Sequence, residues 1–282
     1  MPAINISDFL ALDGLPSLPG QILNVLEEIS RTSAMDYNIL QKIQYDPAIA
    51  LRVLRVANTP LYGYAAQISS LQQAAGLLGP GAIKNIVLTT PILERYQDKT
   101  GINTFDYSSL WLHMRVTAAL AGNLASLLQF READVCFTGG LIHGTGVAAL
   151  ASCYPAALLE WIKTAEREQV SLLSVERGKL GLTHRDIGVR MAEAWGFPGQ
   201  LIDMLDYCYT SETACIPDKL SGVVCLARRL AHQWGYAANL GVDSFVEREK
   251  LFSLLNISEK KLADWTPQLL ETMELAVQVQ EE

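Results

Sequence analysis

Leu141-Ile142-His143-Gly144-Thr145-Gly146 is the stretch from which the rest of the chain is best read. Phe137, Leu141 and Ile142 lead into it at helical spacing, and a weakly polar segment follows. It has the form of a chelating His-Asp pair without the Asp: His143 is present, and Gly144 stands where the carboxylate would be. A catalytic divalent site needs three or four ligands, commonly with carboxylates among them. Whether the chain is an enzyme therefore turns on what else reaches His143.

Outward from this stretch the pattern is helical. On its N-terminal side Trp111, Val116, Leu120, Leu124, Leu127 and Leu128 line one long helix that starts near Tyr107. Arg131-Glu132-Ala133-Asp134 opens the next helix. On the C-terminal side an Ala- and Leu-rich helix runs through Ala156, Leu158, Leu159, Trp161 and Ile162. Thr183 caps a helix over His184-Arg185-Asp186-Ile187-Gly188, which ends at Trp195-Gly196-Phe197-Pro198 with the glycine just past the last turn. Leu201, Met204 and Leu205 mark a short helix, 220–234 another, and the tail holds two short helical patterns around Leu251–Leu255 and Leu269–Val277.

The first hundred residues are punctuated more often. Pro16 and Pro19 suit a helix start, and Ile22, Val25, Leu26 and Ile29 then recur on one face. Asp36 caps a helix bearing Ile39, Leu40 and Ile43. Asp46-Pro47 puts a cap directly before a proline at the first helical position, so a helix begins there with Ile49, Val53, Leu54 and Val56 on one side. The 58–63 segment is a turn. Ser69-Ser70 opens a helix to Leu78 that Gly79-Pro80-Gly81 interrupts, and Ile83, Ile86, Val87, Ile92, Leu93 and Tyr96 form a further face. Residues 97–103 read as a polar linker. No segment alternates like a strand and no internal repeat is visible, so the fold class is all-α.

The 282 residues are 50% hydrophobic and 18% charged, which describes a compact globular chain. The net charge of -8 excludes a general nucleic-acid binder, which needs a surplus of Lys and Arg on one face. The five cysteines include no CxxC pair, as expected of reduced thiols in a cytoplasmic protein. No signal peptide is visible, and the stretch taken as most apolar, Val116–Leu128, is too short to span a bilayer. The expectation is a cytoplasmic protein with neither a membrane nor a nucleic-acid partner.

Four histidines carry the candidate chemistry. His113 and His143 lie on successive helices that an antiparallel pairing brings together. Two imidazoles begin a metal site, but the nearest acids, Glu132 and Asp134, fall in the preceding turn. The structural alternative is a packing residue at a helix junction, where Gly144 and Gly146 allow the next helix to come close. Arg52, Arg55 and Asn58 share one helix and its following turn. They could hold an anion or a partner's carboxylate, or form a solvated helix edge. His184, near Trp195, reads as core packing. No phosphate-binding loop, dinucleotide fingerprint or nucleophile elbow is present.

Taken in order, these pieces resemble the HDOD proteins, a family of HD-related output domains in bacterial signalling proteins. The resemblance rests on Leu15-Pro16-Ser17-Leu18-Pro19, on Asp46-Pro47 ahead of Leu51-Arg52-Val53-Leu54-Arg55-Val56-Ala57-Asn58, and on Ile68-Ser69-Ser70-Leu71 with Leu78-Gly79. In the second half it rests on Trp111-Leu112-His113, Gly139-Gly140-Leu141-Ile142-His143, Thr183–Gly188 and Trp195–Pro198. It implies an N-terminal helical lobe (1–100), a lobe similar to HD phosphohydrolases (101–240) and a C-terminal helical extension (241–282). Active HD enzymes hold metals with a His, a His-Asp pair and a later Asp. By position His113 and His143 match the histidines, Gly144 replaces the pair's Asp, Arg228 replaces the later Asp, and Tyr207-Cys208-Tyr209 stands where family members often show a His-His pair. The resemblance thus implies a vestigial centre with no metal and no cofactor. The expected role is a non-catalytic regulatory module acting through a protein partner or a small phosphate-containing ligand. The competing expectation is a metal-dependent phosphohydrolase holding Mn or Fe on His113 and His143, revived if Asp203 or Asp206 points into the site.

Overall fold

The computed structural model describes residues 6–10, 37–44, 46–59, 67–90, 105–209, 216–241 and 245–278. The expected helix at 22–29, the Asp36 cap, the linker at 97–103 and Cys215 lie outside them. Among the described residues there are helices and no β-strand. They are α1 (Ile6–Leu10), α2 (Tyr37–Gln44), α3 (Pro47–Ala57), α4 (Leu71–Thr89), α5 (Tyr107–Leu127), α6 (Ala133–Ile142), α7 (Thr145–Cys153), α8 (Pro155–Glu168), α9 (Leu172–Leu180), α10 (His184–Ala194), α11 (Gly199–Cys208), α12 (Lys219–Gln233), α13 (Arg248–Leu255) and α14 (Glu259–Gln278).

Local chemistry sets several of the boundaries. The Asp46 carboxylate accepts from Ile49 N at 2.8 Å and Pro47 sits in the first turn of α3, as the Asp-Pro pair predicts. Thr183 and Asp186 form a capping box at the start of α10. Trp195 ends α10, and Gly196 follows at φ 71. The interruption expected at Gly79 is a kink in α4, where glycine takes φ 71 and ψ 171. The second tail pattern is longer than expected: α14 runs 20 residues and continues through Pro267.

α5 is the axis of the molecule. It packs against α6, α12 and α14 at once, which is why it is apolar around most of its circumference. Leu110, Met114, Val116, Leu120 and Leu124 on this helix are fully buried. One cluster of buried side chains runs without a break from Phe9 to Met273 and includes Leu269 of α14. α2, α3 and α4 pack on one another, α3 and α4 reach α6, and α1 packs on α7 and α10.

The apolar run expected at Val116–Leu128 gives way to a longer one, Ala133–Cys153. It is long and apolar enough to cross a bilayer, yet 89% of its most apolar 18-residue window is buried inside the body and it is split into α6 and α7 at His143-Gly144. Glycines make this corner close-packed. A Cβ on Gly146 would lie 1.8 Å from the His184 carbonyl oxygen, so α7 and α10 cross almost backbone to backbone.

Candidate functional site

His113, in the second turn of α5, and His143, at the end of α6, meet edge to face with ring centroids 5.0 Å apart. Each Nδ1 faces a carbonyl, which only accepts, so each Nδ1 carries the proton. His113 donates to Tyr236 at 2.6 Å and His143 to Gly140 at 2.7 Å. The remaining nitrogen of His143, Nε2, is buried without a hydrogen-bond partner. Burial, then the neighbouring His113, with Arg228 and His184 adding, hold the His143 imidazole well below its ordinary value, so it is neutral.

Four more side chains complete the centre. Tyr209, just past α11, lies 5.7 Å from the His143 ring and 4.5 Å from that of His184. Arg228 of α12 is 1% exposed, stacks over Tyr209 at 4.2 Å and over Phe245 at 4.6 Å, and donates to the Cys208 carbonyl at 3.1 Å. Glu176 of α9 is fully buried. It accepts from the backbone N of His184 at 2.8 Å and from its Nδ1 at 2.9 Å. The Nε2 of His184, like that of His143, is buried and without a partner. His184 is therefore more than core packing: it is held by a carboxylate and turned toward Tyr209. Glu176 was not legible as a site residue, because it falls on a helix with no strong apolar periodicity and eight residues before its partner.

The residues do not fit a divalent metal. A Cβ on Gly144 would lie 2.7 Å from Met114 Sδ and 3.2 Å from a Leu110 methyl, so the volume an aspartate would need is filled with packed side chains. Arg228 brings a permanent positive charge among the imidazoles, where it opposes a second cation. Asp203 is exposed, and the carboxylate of Asp206 accepts from Arg185 Nε at 2.7 Å. Among the described residues no three His, Cys, Asp or Glu side chains are grouped to hold a metal ion. Nor is there a ready thiol nucleophile in Cys136 or Cys153, because burial pushes them up to about 12 and about 11. Two surface clefts, of about 640 Å³ between α8 and α9 and about 430 Å³ between α5 and α14, contain none of these side chains.

A model of the HDOD domain matches residues 15–211. The chain belongs to the HDOD family. No curated protein matches it. Its fold is that of the MmoQ response regulator from Methylococcus capsulatus str. Bath, at 22% identity over 90% of this chain and 98% of that one, with a TM-score of 0.70. A virulence factor from Campylobacter jejuni subsp. jejuni aligns at 20% identity over 80% of both chains, with a TM-score of 0.61. An HDOD domain protein of unknown function from Geobacter sulfurreducens aligns at 20% identity over 96% of this chain and 95% of its own, with a TM-score of 0.54. Arg228, Tyr236 and Phe245 lie beyond the HDOD match, so part of this centre is supplied from outside it.

The HDOD motifs of the two halves meet in a polar seam. Arg55 of α3 stacks on Trp195 at 5.3 Å. Asn58 clasps the chain at Ile68, accepting from its N and donating to its O, both at 2.9 Å. Gln200 donates to Ser69 at 2.6 Å, and Thr138 of α6 accepts from the N of Leu71 at 3.1 Å. Arg52 donates to the Thr89 carbonyl at the end of α4, at 2.7 Å. Of the three residues expected to form one surface, Asn58 is thus a clasp, Arg55 faces the seam and Arg52 braces α4.

Proposed function

We propose that this HDOD protein is a non-catalytic signalling module, whose histidine centre is structural and whose output passes through contacts with a regulatory protein. The observation that carries this reading is the pair of substitutions at the centre. Met114 and Leu110 lie in the space a side chain on Gly144 would enter, and the Arg228 guanidinium stacks on Tyr209 at the position that the resemblance assigns to the later Asp. Hydrolysis of a phosphoester in an HD-type site relies on metal-activated water, and the one carboxylate of this centre, Glu176, is taken up by the backbone N and Nδ1 of His184. The shared fold with a protein called a response regulator supports a role in signal transduction. The flank of α3 that carries Arg52 and Arg55 is the proposed contact face, since both side chains stay partly exposed while bonding within the molecule.

The test is an assay of the purified protein against cyclic and linear phosphoesters with Mn²⁺ or Fe²⁺ supplied. The reading expects no turnover above buffer, and the same trace from wild type and His143→Ala. Turnover that disappears in His143→Ala would establish the metal-dependent phosphohydrolase instead.

A further inference from the structure

The cleft between α8 and α9 has a volume of about 640 Å³, within the roughly 300–1,000 Å³ of small-molecule sites. Lys163 of α8 and Lys179 of α9 line it from its two walls. Among the described residues neither lysine forms an ion pair. Arg167, on the same cleft, is held by its neighbour Glu168 at 3.0 Å, but both side chains are largely exposed and such a pair is weak. Glu160 adds one further carboxylate. Three cations against two carboxylates make the cleft locally positive in a chain of net charge -8. We propose that the α8–α9 cleft binds a phosphorylated, hydroxyl-bearing small molecule of sugar-phosphate or nucleotide class, with its phosphate on Lys163, Lys179 and Arg167.

The lining selects this chemistry. A phosphate carries enough charge and enough acceptor oxygens to answer two ammonium groups and a guanidinium at once. An ionised carboxylate only accepts hydrogen bonds, so Glu160 favours hydroxyl donors on the same ligand and repels the run of carboxylates that an acidic peptide would bring. Val170, 36% exposed, offers an apolar edge to the organic part of the ligand. A Cβ on Gly178 would meet no atom within 4 Å, so the wall formed by α9 stays open there. None of the side chains of the histidine centre lines the cleft, so the proposal stands apart from whether that centre is catalytic. α9 nevertheless carries Glu176 on its buried side, bonded to His184, so a ligand clasped against α9 lies on a helix that reaches the centre.

The test is isothermal titration calorimetry of the full chain with inorganic phosphate, ribose 5-phosphate and ATP, at matched ionic strength and without divalent metal. Ribose 5-phosphate or ATP is expected to bind more tightly than phosphate alone, and the tighter of the two tells a sugar phosphate from a nucleotide. The double variant Lys163→Gln/Lys179→Gln is expected to bind it about tenfold more weakly or worse. Gly178→Leu, which fills the open wall, is expected to weaken ribose 5-phosphate and ATP and to leave phosphate unchanged. All three positions are exposed, so the variants keep the fold, as circular dichroism would check. No binding of any probe at millimolar concentration, or equal affinity in wild type and the double variant, would overturn the proposal. Binding of a polyglutamate peptide with none of the three probes would overturn it too, making the cleft a contact for an acidic protein segment.

Discussion

At the scale of single residues, the centre depends on what Gly144 and Glu176 exclude and hold. Gly144→Asp, which restores the missing ligand type, puts a side chain into the space of Met114 and Leu110. It is expected to destabilise the protein by about 2 kcal/mol or more and to confer no Mn²⁺ binding, as chemical denaturation and calorimetry would measure. Glu176→Ala leaves the backbone N and Nδ1 of a buried histidine without their acceptor, at a cost of about 3 kcal/mol; an unchanged denaturation midpoint would refute the role given to Glu176. His143 gives a pH dependence whose sign is fixed. It is neutral in the folded protein, held below its ordinary 6.5 by burial first and then by His113, with Arg228 and His184 contributing. The unfolded chain takes up this proton near pH 6.5 and the folded protein does not, so stability falls as the pH drops from about 6.5 toward the folded value, by up to about 1.4 kcal/mol per pH unit for this group, and is unaffected by it above pH 7. Denaturation of wild type and His143→Phe between pH 5 and 8 checks this: the acid slope of the wild type should be the steeper.

At the scale of elements, boundaries were more legible than pairings. Asp46-Pro47, Thr183 and Trp195-Gly196 were readable because a cap is a local event, settled by residues three or four apart. Thr183→Ala should accordingly cost about 1 kcal/mol in a denaturation curve. α9 leaves no such signal, since Leu172–Leu180 mixes charge and apolar residues without a clear face, and neither does α7, whose helix follows α6 across a single corner in one apolar run. The crossing of α7 on α10 depends on a glycine that sequence reading could only suggest. Gly146→Ala drives a methyl into the His184 carbonyl and is expected to prevent folding or to cost more than about 3 kcal/mol. Soluble, fully stable Gly146→Ala would show that the two helices are not in contact.

At the scale of the whole molecule, the all-α class and the resemblance were legible from the order of the motifs, because helical periodicity repeats and survives local error. The makeup of the centre was legible only in part. His113, His143, Gly144 and Arg228 could be placed by position, whereas Glu176 and Phe245 come from segments whose approach depends on three-dimensional packing around α5. α14 packs along that same helix and buries Leu262, Leu269 and Met273 in the continuous core. The interior of the protein is metal-independent in this account. The measurement that tests this most directly is elemental analysis of the purified full-length chain for Mn, Fe, Zn, Ni and Cu, before and after EDTA. Trace metal with an unchanged circular dichroism spectrum after EDTA is the predicted result; a stoichiometric ion removed by EDTA together with loss of helical signal would contradict it.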